Sequence, residues 1–532
     1  MTLMSTAVRP LPHAGGADAP GDGFEWVALD EIKPTEEALR LAPGDFALKH
    51  QVLPLFLDGD TLVVALGTPE SLGAADDLGV LLQRPTRAVL AAPALVREKI
   101  EEVFLERILA GLPGGADEAA SGAAGETYDT TDLADLQKMA GETAVVQMVN
   151  LVFAQAVRDG ASDIHVEPYE RDVKVRYRVD GMLRDVMSPP KRMHAALVSR
   201  LKILGEMNIA ERRLPQDGRI KVVVAGRSVD VRVSIVPTVY GERAVLRILD
   251  KGTATLGLEE LGMRPDTLAR FRRMIRVPHG VILATGPTGS GKSTTLYAAL
   301  QEIWSPTTNI LTIEDPVEYQ VKGIGQIQVR PQIGLTFANG LRSIVRQDPD
   351  IIMVGEIRDH ETAEIAIQAA LTGHLVFSTL HTNDAAGAVT RLLDMGVEPY
   401  LVASSLTGAV AQRLVRRVCP FCAAPTMPED EFLESLGIAP SDWSGETPFR
   451  QGAGCDKCLN TGYRGRVGLY ELFVADEAIR RLTVDRAAAS VMRDRAVADQ
   501  GMRTLLGDGR LAVLAGKTTP EEVMRVCARE SY

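Results

Sequence analysis

Gly286-Pro-Thr-Gly-Ser-Gly-Lys-Ser293 is the stretch whose residue types and spacing most directly imply chemistry. It follows the pattern G-x-x-x-x-G-K-[ST], in which backbone N–H groups cradle phosphate oxygens. Glycines let those N–H groups turn inward. Lys292 can reach the β- and γ-phosphates, and Ser293 can ligate Mg²⁺. Val281 to Thr285 reads as a buried strand before the loop, and Thr294 to Gln301 as a helix after it. The helix N-terminus places its partial positive charge at the same point. The nucleotide-binding set is then Gly286, Pro287, Thr288, Gly289, Ser290, Gly291, Lys292, Ser293, Thr294 and Glu314, with ATP as ligand.

Acids and histidines follow at the ends of apolar runs. Ile310 to Ile313 delivers Glu314, Asp315 and Glu318, in the position where ligands sit in parallel α/β sheets. Ile351 to Val354 delivers Glu356, which fits the acid that holds Mg²⁺ through water or polarises the attacking water. Leu375 to Leu380 is flanked by His374 and His381. Alone, an acid at a strand end is ordinarily part of a solvated turn, and a single histidine is ordinarily structural. Gathered downstream of a phosphate loop, they read as candidate site residues.

Two C-x-x-C pairs, Cys419/Cys422 and Cys455/Cys458, account for four of the five cysteines. One such pair could be a redox couple. Two in one segment suit tetrahedral Zn²⁺, and a closed four-thiolate shell is structural because it leaves no open position. Cys527 lies on a helical pattern and reads as an ordinary buried thiol.

The elements that must position these groups fall into several domains, as 532 residues would at about 150 residues each. Residues 1–23 read as a flexible N-terminus, 24–107 as a small domain and 108–140 as a flexible linker rich in Gly, Ala and acid. In 24–107, Val52 to Leu57 and Leu62 to Leu66 flank a turn and predict a hairpin, and Ala92 to Leu105 has helical spacing. Residues 141–253 read as α+β. Thr143 to Val157 carries an apolar helical face, while Val173, Val175 and Tyr177 alternate with Lys174, Arg176 and Arg178. Val229, Val231 and Val233 alternate in the same way with Asp230, Arg232 and Ser234. Residues 254–415 alternate strands and helices, which predicts a parallel sheet. A tetracysteine insert at 416–468 and a helical region at 469–532 complete the chain.

Composition narrows the partners. The hydrophobic share of 45% is that of a folded globular protein. A net charge of −12 argues against nucleic-acid binding by a basic patch. No apolar run reaches the ~20 residues of a transmembrane helix, and residues 1–10 lack a signal-peptide core. The expectation is a cytoplasmic protein that reaches a membrane through partners.

The boxes Thr312 to Glu318, Asp348 to Asp359 and Thr372 to Asn383, in this order, resemble those of the secretion ATPase superfamily. So do Ala161-Ser-Asp-Ile-His-Val-Glu167, Arg178 to Gly181, Leu214 to Arg219 and the tetracysteine insert continuing to Arg466. The resemblance runs over about residues 24–530. Within the superfamily the chain is most similar to the assembly ATPases of type II secretion, the E proteins of the general secretory pathway, with type IV pilus assembly ATPases next. It implies a RecA-like phosphate-loop domain preceded by an α+β (PAS-like) domain and a small N-terminal α/β domain, in a hexameric ring.

Further roles are implied by the resemblance alone. Arg232 and Arg247 match arginines that reach the γ-phosphate from the preceding domain, Glu318 matches the water-activating acid, and His381 reports phosphate state. Partners implied are an inner-membrane docking protein bound by the N-terminal domain, an inner-membrane platform protein, and acidic phospholipid. Some relatives open that domain with an Arg-Leu-Gly motif that binds a cyclic dinucleotide. No such opening occurs between Phe24 and Arg107, which favours protein docking there. Two other readings stay open at this stage: a nucleic-acid translocase with a basic pore, and a nucleotide-binding scaffold without turnover.

Overall fold

The computed structural model describes residues 143–249 and 256–527, apart from 225–226 and 444–446, and most positions of 26–100. The expected flexible N-terminus and linker, and most of the helix expected at Ala92 to Leu105, lie outside the described residues.

Three sheets of three or more strands organise the described residues. The first is small: β1 (Val52–Asp58), β2 (Thr61–Leu66) and β3 (Thr86–Leu90), in that order. β1 and β2 form the expected hairpin, with Asp58 opposite Thr61 and Gly59 at a positive φ of 64° in the turn.

The second sheet has six strands: β4 (Ala161–Pro168), β5 (Val173–Val179), β6 (Met182–Met187), β7 (Gln216–Val224), β8 (Arg227–Thr238) and β9 (Gly241–Leu249). Its order is β6-β5-β4-β9-β8-β7, antiparallel throughout. The period of two decides its faces. Val173, Val175, Tyr177, Val229, Val231, Val233 and Ile235 are buried. They pack with α1 (Thr143–Arg158) and α2 (His194–Leu204), whose Val145, Val149, Val152, Phe153, Leu197 and Leu201 complete one apolar core. Burying each of these branched or aromatic side chains contributes about 1.5–3 kcal/mol. The opposite face keeps the charged alternates. Strand pairing sets Arg178, Asp163, Arg247, Arg232 and Arg219 in one row across β5, β4, β9, β8 and β7.

The third sheet carries the phosphate loop. In chain order its strands are β10 (Gly280–Thr285), β11 (Ile310–Glu314), β12 (Gly325–Gln328), β13 (Ile351–Val354), β14 (Leu375–Leu380) and β15 (Leu406–Val418). Two short strands, β16 (Ala423–Pro425) and β17 (Arg450–Gly452), pair with each other, and β18 (Tyr463–Val474) returns to the main sheet. The order is β12-β11-β13-β14-β10-β15-β18. The first six neighbours are parallel and β18 is antiparallel to β15. β10, β13 and β14 are buried along their whole length, as a parallel sheet covered on both faces requires.

The pairing of β15 with β18 corrects the expected insert at 416–468. Both boundaries fall inside strands of the main sheet, since Gly408 pairs with Val474 and Val418 with Tyr463. The cysteine segment is therefore an excursion between two paired strands. The expected helical region at 469–532 likewise begins with the end of β18, and its helices start at Glu477. A strand that finds its partner about 50 residues later leaves no local periodic signal of that pairing.

Among the described residues the second and third sheets touch through Asp180, Arg219 and Arg232. Asp180, at the turn after β5, accepts from the Gly465 N–H at 2.8 Å and lies 3.7 Å from Arg466 Nε. Arg232 reaches the segment after β11, described next.

Candidate active site

The phosphate loop leaves the C-terminal end of β10 and enters α3 (Lys292–Ile303). Gly286 and Gly291 take φ values of 142° and 92°. A Cβ on Gly286 would lie 2.6 Å from the Gln412 carbonyl oxygen, and one on Gly291 2.6 Å from Gln412 Nε2. Only glycine meets both demands, so the sequence pattern is a packing requirement as well as a conformational one. Thr288, Gly289 and Ser293 are exposed, while Lys292 is buried. Its Nζ donates to the carbonyls of Gly286 and Pro287 at 2.8 and 3.0 Å. Burial first, then the nearby Arg413, bring its pKa down to about 8.

Glu356 and His381 stand at the C-terminal ends of β13 and β14, on the same edge as the loop. Glu356 Oε2 is 3.7 Å from His381 Nε2, and its Oε1 is 2.5 Å from Arg358. Burial first, then the Lys292 ammonium, hold the His381 imidazole below its ordinary value. Thr379 Oγ1 donates to the Gly355 carbonyl at 2.7 Å and fixes the strand end that carries Glu356. Lys292, Glu356 and His381 are thus gathered into one electrostatic group.

His374 sits at the other end of β14. Its Nδ1 is 2.7 Å from the Ala369 carbonyl, and its own carbonyl accepts from Gly280 at the start of β10. It is a structural residue, because parallel strands place their ligand-facing ends together and His374 is at the opposite one. Glu314 is also separated from the loop's open side. Its carboxylate is buried and accepts from Tyr297, from Thr312 Oγ1 at 2.5 Å and from Gln326 Nε2 at 3.1 Å. Both its oxygens are taken by protein donors that tie α3 to β11 and β12, rather than standing open toward a ligand.

Glu318 faces the second sheet. Arg232 Nη1 is 3.2 Å from Glu318 Oε2, and Arg232 Nη2 donates to the Val317 carbonyl at 2.7 Å. Arg219 Nη2 donates to Gln328 Oε1 at 3.4 Å from the neighbouring strand. Arg247 is paired with Arg232 in register, and its Nε donates to Asp163 Oδ1 at 3.0 Å. The arginine row therefore forms a wall opposite the acidic segment after β11.

Two residues that the sequence reading did not single out belong here. Gln412 and Arg413 are buried on β15 beside the loop. Gln412 Oε1 accepts from Thr295 at 2.7 Å, and Arg413 Nη2 donates to the Asn383 carbonyl at 2.8 Å. They link the loop and its helix to the segment after His381. The available signal was a Gln-Arg pair interrupting the otherwise apolar run Ala409 to Val415.

The four cysteines converge where β15 ends and β18 begins. Their Sγ atoms all lie within 4.8 Å of one another. Three of the separations are 3.9, 3.8 and 3.7 Å. A tetrahedron with Zn–S bonds of about 2.3 Å has edges of about 3.8 Å, so this donor set fits such an ion. Burial pushes the Cys458 thiol up, but the Cys455 and Gly462 N–H groups outweigh it and bring it to about 6.

Comparison with known proteins places this arrangement in a family. The model described as type II/IV secretion system protein matches residues 138–525, and the MshEN domain model matches residues 23–108. The type II secretion system protein HxcR of Pseudomonas aeruginosa is 52% identical over 451 residues, 85% of this chain and 88% of that protein. The type IV pilus assembly ATPase PilB of Myxococcus xanthus is 44% identical over 517 residues, 96% of this chain and 90% of that protein. The type II secretion system protein E of Dickeya dadantii is 43% identical over 513 residues, 94% of this chain and 100% of that protein. Among solved structures, the Legionella pneumophila ATPase DotB shares the fold at a TM-score of 0.53 and 22% identity, over 71% of this chain and 95% of that one. With its phosphate loop, its strand-end acids and a family match over most of its length, the chain belongs to the type II/IV secretion system proteins and is an ATPase of that family.

Proposed function

We propose that the protein is a hexameric motor ATPase that drives pseudopilus assembly, and with it protein export, in type II secretion. The observation that carries the motor reading is the Arg232–Glu318 ion pair, which joins two domains at the segment after β11. A site completed by another domain makes hydrolysis depend on closure, and closure is motion.

Roles follow from placement. Residues 286–294 hold the phosphates, with Lys292 on the β- and γ-oxygens. Mg²⁺, when bound, neutralises phosphate charge; the exposed Ser293 hydroxyl and Glu356 would hold it. Glu356 and Glu318 orient and polarise the attacking water. Arg232 and Arg247 stabilise charge on the transferring phosphoryl group. His381, 3.7 Å from Glu356, reports the state of the site to the domain boundary. The four cysteines would hold Zn²⁺, which would tie the end of β15 to the start of β18. Residues 24–107 dock the motor to an inner-membrane protein, 108–140 tether it, and an inner-membrane platform receives the motion. Among the described residues no helix is long and apolar enough to cross a membrane. Recruitment from the cytoplasm by those partners, aided by acidic phospholipid, is part of the proposal.

A second reading, assembly of type IV pili, is favoured by the PilB relative, which spans more of this chain than HxcR does. The test is replacement of the chromosomal gene by Lys292→Ala. The proposal expects loss of ATP turnover together with retention of exported proteins inside the cell. Secretion that survives the substitution sinks the motor reading. Lost surface pili with intact secretion selects the second one.

A further inference from the structure

We propose that Asp163 is a positioning residue for ATP hydrolysis, holding Arg247 in the orientation that presents both its terminal nitrogens to phosphate. The inference rests on the reading of Arg247 as a phosphate-facing arginine.

Asp163 lies in β4 and is buried. Strand pairing sets it directly between Arg178 and Arg247, and sets Arg247 next to Arg232. Arg232 and Arg247 are like charges on adjacent strands, an arrangement that is unfavourable by itself. Two carboxylates offset it from opposite sides. Glu318 takes Arg232 from the other domain, and Asp163 takes Arg247 from within the same sheet.

The two pairings differ in what domain motion does to them. The Arg232–Glu318 contact crosses a domain boundary, so opening the cleft breaks it. The Arg247–Asp163 contact spans two hydrogen-bonded strands, so it persists in every domain arrangement that keeps the sheet. Arg232 is the partner-exchanging arginine and Arg247 the fixed one.

The atoms involved define what is fixed. Asp163 Oδ1 takes Nε of Arg247 at 3.0 Å, and neither terminal nitrogen of Arg247 has a protein partner among the described residues. A guanidinium held by Nε still offers a two-pronged fork to phosphate oxygens, which a lysine cannot do. Asp163 is itself held. Ser162 Oγ donates to its Oδ2 at 2.7 Å, and Arg178 Nε stands 3.7 Å from the same oxygen. A buried, doubly supported carboxylate gives a preorganised arginine, and such preorganisation acts on the transition state more than on nucleotide binding. This also assigns work to the motif Ala161 to Glu167, whose acids otherwise have no part in the site.

The test is steady-state ATPase kinetics of the full-length protein carrying Asp163→Asn, Arg247→Ala, or both, with thermal melts of each. The expected result is a kcat about tenfold lower for Asp163→Asn at nearly unchanged KM, as loss of a transition-state interaction requires. In the Arg247→Ala background the same substitution should lower kcat no further. Arg247→Lys should be as slow as Arg247→Ala. Equal losses in both backgrounds would make Asp163 a structural residue and overturn the proposal. An Arg247→Ala protein with full kcat would instead overturn the reading of Arg247 on which it rests. If Asp163→Asn does not fold, Ser162→Ala gives the same contrast at about two- to threefold, present with Arg247 and absent without it; an equal drop in both backgrounds overturns the proposal as well.

Discussion

Arg232 and Glu318 face each other from two domains, Nη1 to Oε2 at 3.2 Å, while the second guanidinium nitrogen holds the Val317 carbonyl. The pair is half-buried, so it is screened less than a surface bridge and is still within reach of water. Arg232 thus has a partner before any γ-phosphate arrives, and must exchange it to serve as an arginine finger. Arg232→Ala is expected to lower kcat about 10³-fold while ATP still binds. A nucleotide-binding titration beside a turnover assay checks this, and an unchanged kcat removes Arg232 from the mechanism.

Glu356 lies between Arg358 and His381 at the end of β13. Glu356→Gln keeps the shape and removes the charge that polarises water or holds the metal. Hydrolysis should slow by about 10²-fold or more, with ATP retained on the protein. Rapid-quench measurement of a single turnover separates that effect from slow product release.

Lys292 gives a pH dependence with a definite sign. In the free protein burial brings its pKa to about 8, below the ordinary lysine value. A bound phosphate favours the ammonium and raises it again, so binding takes up a proton above pH 8. ATP affinity should be level below that pH and about tenfold weaker at pH 9 than at pH 7. Calorimetry in buffers of different ionisation heat should show the proton uptake at pH 9, and Lys292→Arg should lose it. Affinity that stays level to pH 9.5 contradicts the assignment.

The cysteine cluster should hold one Zn²⁺ per chain. Cys419→Ser, or a strong chelator, is expected to lower the melting temperature, because it frees the segment between β15 and β18. Metal analysis of the purified protein together with a melt decides it; a zinc-free protein with an unchanged melt rejects the metal.

Much of the site was legible along the chain, for a physical reason. The phosphate loop is contiguous, and its glycines, lysine and hydroxyl act on one another over eight residues. The strand before Glu356 is a continuous apolar run and the one before His381 is apolar but for Ser378 and Thr379, as a sheet buried on both faces favours. The alternation in β5 and β8 likewise assigned Arg232 to the polar face before any partner was known.

What the sequence left open depended on contacts between distant segments. His374 and His381 flank the same strand, and only strand direction shows that one lies away from the loop. Glu314 looks like Glu318 on paper, but Tyr297, Thr312 and Gln326 close around it. β15 and β18 are separated by the cysteine segment, so their pairing is a long-range event, and so is the pairing of β15 with β10 that brings the buried Gln412 and Arg413 to the loop. The sequence by itself determined the groups that can touch phosphate, because that chemistry needs neighbouring backbone atoms. The tertiary structure alone decided which acids and arginines meet them, because Arg232, Arg247 and Asp163 acquire their partners through strand register and domain docking, and neither is written in local spacing.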